Sequence, residues 1–389
     1  MKRIAFFCDG TWNRADADRP TSILRLAQAV TPSATDGIKQ VVFYQQGVGT
    51  GRGTSWLARG TDRFLGGALG WGLEDNIIEA YRNLVFCYEP GDQIFIFGFS
   101  RGAYTARSLA GLIRKAGILP RHQVHRVGEA MALYRKRGRA MAPDQPQVME
   151  ARADLSPDVA TSQAEIEWRL AQGKLDRHGE PPILVQIRYL GVLDTVGALG
   201  LPSFMGLFAK LVNDRHAFHD TDLSHLVLSA RHAVAIDERR VLYPPALWGN
   251  LDGPEGLNHG ETGPDRPYQQ LWFSGVHGVV GGSGPVPGLS AYPAGWIAEG
   301  ARAEMARLDF DRPSLQAITA AADPVAEAGA MVQKRGWSNL YGALLSDREG
   351  PRRAADVAEA ARQRVIRMGG YRPGSLRYVR ELLFKPRNG

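Results

Sequence analysis

Asp92 to Leu112 reads DQIFIFGFSRGAYTARSLAGL, and this stretch decides the fold. Its opening run, Ile94 to Phe97, is apolar, β-branched and aromatic, which predicts a strand buried on both faces. The chain then turns through Gly98-Phe99-Ser100-Arg101-Gly102. From Ala103 the period changes. Tyr104, Ser108 and Gly111 fall on one side and Ala106, Leu109, Ala110 and Ile113 on another, which predicts a helix packed on a sheet. Strand, G-x-S-x-G, helix is the setting of a nucleophile elbow. There Ser100 takes a strained turn, and Gly98 and Gly102 are required because a Cβ would strike the neighbouring strand and helix. A hydroxyl held this way stands over the carboxyl edge of a sheet, at a helix N-terminus whose partial positive charge favours an oxyanion. The plainer alternative makes Ser100 a helix N-cap in a glycine-rich turn.

Upstream, Arg3 to Cys8 predicts a first strand, left by the loop Asp9-Gly10-Thr11-Trp12-Asn13. Thr21 can cap a helix over Ser22 to Val30, and Val41 to Tyr44 predicts a second strand. Gly47 to Gly72 is glycine-rich but holds neither a P-loop nor a G-x-G-x-x-G that opens a helix directly after a strand. Leu73 to Cys87 carries apolar residues at helical spacing and is stopped by Pro90-Gly91. The order of strands and helices predicts an α/β fold, α/β-hydrolase-like, with a mainly parallel sheet covered on both faces.

Downstream, 114–182 is basic and polar and predicts an insertion with two weakly amphipathic helices, near Val124 to Arg137 and Thr161 to Gln172. His122 and His125 within it suit a solvated surface better than a metal, and no metal or other cofactor is expected. Ile183 to Leu193 predicts a buried strand that delivers Asp194-Thr195 at its carboxyl end. Region 199–232 is a candidate lid: Leu201, Phe204, Met205, Phe208, Leu211 and Val212 form an apolar stripe that reads as a core-facing helix or as one that touches lipid. Leu223 to Ile236 looks helical, and Gln270 to Val276 predicts a last strand followed by His277 and a flexible glycine-rich loop, Gly278 to Gly288. Residues 1–310 thus read as one catalytic domain and 311–389 as a helical C-terminal extension packed on it.

Ester hydrolysis by serine needs a base for the hydroxyl proton and a carboxylate to orient that base. Ser100, Asp194 and His277 occur in the chain order of such hydrolases, each at the end of an expected strand. Of the nine histidines, only His277 directly follows a strand and enters a flexible loop; His216, His219, His225 and His232 suit structural roles. Asp237 is the alternative acid. The oxyanion hole would use the Arg101 N–H and one from the Asp9 to Trp12 turn, where Gly10 allows close approach to Thr11. Asp9 itself is expected to brace that turn.

Seven motifs in order carry a resemblance over about the first 300 residues. They are F-C-D-G-T-W-N (Phe7 to Asn13), G-V-G-T (Gly47 to Thr50), G-L-E-D-N-I-I-E-A-Y (Gly72 to Tyr81), Pro90-Gly91-Asp92 through G-F-S-R-G-A-Y-T-A-R, L-D-T-V-G (Leu193 to Gly197), A-I-D-E-R-R (Ala235 to Arg240) and W-F-S-G-V-H (Trp272 to His277). They resemble the uncharacterised α/β-hydrolase family that includes the type VI secretion phospholipase effectors. The resemblance implies a triad on Ser100, Asp194 and His277. It also implies a serine esterase or lipase acting on a lipid or other ester through an acyl-enzyme. One departure stands out: the family continues its histidine as H-S-D-V-G-G-G-Y, whereas here Gly278-Val279 follow. That change motivates a second reading, a weakly active or inactive scaffold. A hydrolase of phosphate-bearing substrates is a third.

Bulk composition fits these readings. Hydrophobic residues at 44% and charged ones at 22% suit a globular chain rather than a disordered one. The two cysteines, Cys8 and Cys87, lie in apolar runs, which argues against a disulfide framework or a cysteine metal site. The first residues are too short in apolar run for a signal peptide, and no stretch could span a membrane, so a soluble cytoplasmic chain is expected, with signal-independent secretion left open. The net charge of +7 permits peripheral contact with anionic lipid, while the lack of basic motifs interleaved with aromatics argues against nucleic acid as a partner.

Overall fold

The computed structural model describes every residue except 12, 17, 48–66, 198–221, 242, 284–286, 330–344 and 385–389. Its centre is a six-stranded, wholly parallel sheet. The strands are β1 (Arg3–Cys8), β2 (Gln40–Gln45), β3 (Gln93–Phe99), β6 (Gln186–Leu193), β7 (Ala230–Ala235) and β8 (Tyr268–Phe273), in the order β2-β1-β3-β6-β7-β8. Two short strands, β4 (Val159–Ala160) and β5 (Ile183–Leu184), pair separately.

The apolar runs become strands because both of their faces are covered. All six residues of β1 and all seven of β3 are buried. Their side chains alternate between two cores. Ile4, Phe6, Ile94 and Ile96 face one side, where they pack with Tyr81 and Leu84 of α2 (Gly67–Cys87) and Ala106 and Leu109 of α3 (Arg101–Ala116). Ala5, Phe7, Phe95 and Phe97 face the other, against Ile23 and Leu26 of α1 (Ser22–Ala29). Thr21 caps α1, its hydroxyl accepting from the Leu24 N–H at 3.1 Å.

The insertion carries α4 (Val127–Arg135), α5 (Pro146–Leu155) and α6 (Gln163–Ala171). A buried ion cluster joins the last two: Arg152 Nε donates to both Glu165 oxygens at 2.9 Å, and Arg169 Nη2 donates to one at 2.6 Å. After β8 come the single turn α7 (His277–Val280), then α8 (Ala291–Arg302), α9 (Arg312–Thr319) and α10 (Glu359–Arg367). Ile297 of α8 completes the Phe95–Phe97 core. Val365, Leu376 and Leu383 pack on Val234, Ile236 and Trp272, so the last part of the chain covers the β7–β8 end of the sheet.

Several expectations need correction. Leu223 to Ile236 is not a helix; its second half is β7, buried in the sheet interior, where A-R-H-A-V-A shows no strict alternation that would mark a strand. Residues 230–232 therefore belong to the sheet and not to a lid. The remaining lid side chains, Phe204, Met205 and Phe208, and also His216 and His219, lie outside the described residues. The run Ile183 to Leu193 splits into β5 and β6, and the last strand ends at Phe273 rather than Val276. The residues after His277 start as a helical turn rather than a loop, and α5 is an element that the sequence pattern does not predict.

The elbow glycines sit where backbone meets backbone. A Cβ on Gly98 would lie 2.5 Å from Ala103 Cα, and one on Gly102 2.2 Å from the Cys8 carbonyl oxygen. No rotamer change relieves either clash, so Gly98→Ala and Gly102→Ala should each destabilise by about 3 kcal/mol or more or abolish folding. Exposed Gly128, near the start of α4, is the contrast: a Cβ added there would meet nothing within 4 Å. Gly128→Ala should raise stability by about 0.5–1 kcal/mol, and urea unfolding of the three variants checks both signs.

Candidate active site

The sheet order reverses at β1: the chain leaves it for β2 on one side and returns to β3 on the other. In open α/β sheets the crevice at the carboxyl ends of such strands is where ligands bind. Here β1 delivers Asp9, Gly10 and Thr11, and β3 delivers Ser100.

Ser100 has φ 57° and ψ −123°, a backbone conformation that L-residues avoid. It is held there by the Gly98 and Gly102 contacts and by its own N–H, which donates to the Leu193 carbonyl at 3.0 Å. The hydroxyl makes no capping bond to α3. It lies 2.8 Å from His277 Nε2 instead, so the N-cap alternative does not describe its role. On the opposite side of the ring, His277 Nδ1 is 2.6 Å from Asp194 Oδ2. A buried carboxylate only accepts, so Nδ1 carries the proton and Nε2 is left to accept from the serine.

Asp194 also has positive φ, 39°, and is fully buried. Its N–H donates to the Ala233 carbonyl at 2.7 Å, and Oδ1 accepts from the Ala235 N–H at 2.8 Å. Arg348 adds a two-pronged bond, Nη1 to Oδ1 at 2.7 Å and Nη2 to Oδ2 at 3.0 Å. Burial alone would raise the Asp194 pKa; the Arg348 charge, helped by His277, outweighs it and holds the carboxyl well below the usual range.

His277 is set by its surroundings as much as by its hydrogen bonds. Its ring lies between Phe99, at 4.8 Å between centroids, and the edge-on Tyr243, at 5.0 Å. Its N–H donates to Glu238 Oε2 at 3.2 Å, and Glu238 is in turn forked by Arg240. Asp237, the alternative acid, does not reach His277. It accepts from the Gly275 N–H at 2.6 Å and the Tyr371 hydroxyl at 2.8 Å, and so braces the turn before the histidine. Val279 is buried with its side chain toward Gly275 and Gly329.

The turn after β1 brings Gly10 against Ser100: a Cβ there would lie 3.0 Å from Ser100 Cβ. The Gly10 N–H is taken by Asp9 Oδ1 at 2.7 Å. Asp9 is the brace, accepting also from the Thr21 and Tyr44 hydroxyls. The Thr11 hydroxyl is buried without a partner, and the Arg101 N–H stands at the open first turn of α3. Both cysteines are free thiols, and burial pushes Cys8 up to about 12, which rules it out as a nucleophile at neutral pH. Among the described residues no cluster of three metal-ligating side chains occurs, and no helix is long and apolar enough to cross a membrane.

Sequence reasoning missed Arg348, Glu238, Tyr243 and the part played by His232. His232 is fully buried; its Nε2 accepts from the Thr195 N–H at 3.2 Å and its Nδ1 donates to Gln270 Oε1 at 3.0 Å, fixing the backbone next to Asp194. Glu238 lies within the A-I-D-E-R-R motif; nothing in the sequence marks Arg348.

A parallel sheet, a strained serine at the β3–α3 elbow and a hydrogen-bonded row of serine, histidine and aspartate define an α/β-hydrolase-like protein. The chain belongs to the family of type VI secretion phospholipase effectors, Tle1-like, catalytic domain, whose model matches residues 2–300. It is 28% identical over 247 residues to the uncharacterised protein YEL023C of Saccharomyces cerevisiae, spanning 61% of this chain and 31% of that protein. Among solved structures it is similar to an uncharacterised protein from Pseudomonas aeruginosa (TM-score 0.41, 18% identity, 82% of this chain and 48% of that one). It is also similar to the Tle1 effector bound to the VgrG spike of the type VI secretion system (TM-score 0.35, 19% identity, 72% and 51%). The chain thus spans about a third to a half of the length of these relatives.

His232 supplies a test of the site's electrostatics. Burial first, and then the Arg107 guanidinium, push its pKa from 6.5 down to about 3. A base with a depressed folded pKa stabilises fully above its unfolded value and loses that contribution as pH falls through the folded one. Stability should therefore drop between pH 6.5 and about 3, by up to about 1.4 kcal/mol per pH unit from this residue. His232→Gln should be less stable at pH 7 yet show a shallower acid slope in urea midpoints measured across that range.

Proposed function

We propose that the chain is a serine hydrolase that cleaves a carboxylic ester, a phospholipid or other lipid ester, through an acyl-enzyme. The observation that carries this reading is the continuous row from Ser100 Oγ to His277 Nε2 at 2.8 Å and from His277 Nδ1 to Asp194 Oδ2 at 2.6 Å. His277 takes the hydroxyl proton as Ser100 attacks the ester carbonyl, then gives it to the departing alcohol. Asp194 keeps the ring in the tautomer that leaves Nε2 free and stabilises the imidazolium. The tetrahedral oxyanion is received by the Arg101 N–H and the backbone at Thr11, near the positive end of α3. Water repeats the sequence in reverse to release the acid.

Family membership supports lipid as the substrate class, and the net charge of +7 suits peripheral contact with an anionic bilayer. The scaffold alternative rests on the changed residues after His277. A bonded Ser100–His277 pair and a Val279 that is accommodated fully buried both weigh against it.

A fluorophosphonate probe should attach to Ser100, and Ser100→Ala should abolish that labelling. Turnover of short-chain acyl esters should fall by about a thousandfold or more in Ser100→Ala and His277→Ala, with circular dichroism unchanged. Intact protein that hydrolyses esters equally well without the Ser100 hydroxyl would defeat the proposal.

A further inference from the structure

The carboxylate of Asp194 has about four acceptor positions, and all are filled. One goes to the imidazole, one to the Ala235 N–H and two to Arg348. Arg348 reaches this position from well outside the family-matched region, which ends at residue 300. It is buried, and its remaining bonds go to the Ala235 carbonyl at 3.1 Å and the Tyr243 carbonyl at 2.7 Å. One guanidinium therefore ties together the acid, the strand end that holds the acid, and the residue whose ring rests on His277.

We infer that Arg348 is a positioning residue for the triad: its fork fixes the plane of Asp194, and its charge partly offsets the pull of that carboxylate on the protonated imidazole. The inference rests on the triad reading and adds to it a dependence on the C-terminal part of the chain. The physical reason is geometric and electrostatic together. A guanidinium that forks both carboxylate oxygens removes the rotation by which Oδ2 could turn away from Nδ1. A full positive charge bonded to Asp194 also disfavours a second positive charge on His277.

Other charged or titratable groups around the pair do not duplicate this. Glu238 meets the His277 backbone, and Arg240 neutralises it. Tyr243 offers its ring edge to the imidazole, and Arg101, at the start of α3, lies toward Tyr243. His232 is held neutral beneath Thr195. Of the arginines and lysines among the described residues, Arg348 is the one bonded to the carboxylate.

The test uses the full-length chain and the rate at which a fluorophosphonate labels Ser100 across pH, which needs no knowledge of the natural substrate. In Arg348→Met the plateau rate should fall about tenfold, and the acidic limb should move to higher pH. Arg348→Lys retains charge without the fork, so its limb should stay with the wild type while its plateau falls. A purely structural arginine would lower the melting temperature and leave the limb of the folded protein unmoved. That outcome, in a folded Arg348→Met, overturns the inference while the triad stands. Should Arg348→Met not fold, Arg348→Lys decides: an unchanged plateau or a shifted limb overturns it. A wild-type chain not labelled at Ser100 removes the triad reading, and this inference with it.

Discussion

A carboxylate withdrawn completely from water must be matched by donors and by charge, and Asp194 is the group in this molecule on which that requirement falls hardest. Backbone from β7, a guanidinium from far along the chain and an imidazole beyond β8 all converge on it. Moving any one of the three would leave an acceptor position of a buried carboxylate unfilled. The arrangement of the last strands and of the chain that follows α9 is therefore tied to one side chain.

The opposite half of the site obeys a steric constraint rather than an electrostatic one. Helix α3 must start close enough to β1 for Gly102 to meet the Cys8 carbonyl, and close enough to β3 for Gly98 to meet Ala103. That proximity forces Ser100 into its positive-φ turn and points its hydroxyl out of the sheet edge. Strain at Ser100, of order 1–3 kcal/mol, is held in place by two well-packed cores on either side of the sheet. Packing and chemistry thus share the same residues: Phe97 belongs to the core, and two positions later Phe99 already lies against the His277 ring.

Between these halves lies His277, held at N1 of a single helical turn. Its position depends on two acids that do no hydrogen bonding to the ring: Glu238 receives its N–H, and Asp237 anchors the preceding Gly275, whose φ is 117°. The A-I-D-E-R-R motif is thereby explained as a support for His277. Its first acid receives the Tyr371 hydroxyl and its second is paired with Arg240, so both charges are met.

Much of this is legible in the amino-acid sequence. The alternation of Ile4, Phe6, Ile94 and Ile96 with Ala5, Phe7, Phe95 and Phe97, together with the glycines around Ser100, dictates a buried parallel strand and a sharp elbow, because local sterics and burial leave little else for such runs. Chain order then nominates Asp194 and His277. What the sequence does not specify is where separate segments meet. β7 reads as helical because a strand buried in a sheet interior shows no diagnostic period. Nor does the sequence announce that Asp9 takes the Gly10 N–H in the folded chain. Arg348 is one arginine among 47 basic residues, and only the tertiary structure, by carrying residues 154 positions apart to within hydrogen-bonding distance, distinguishes it from the rest. Local chemistry is written along the chain; the pairing of buried charges is a property of three-dimensional closure.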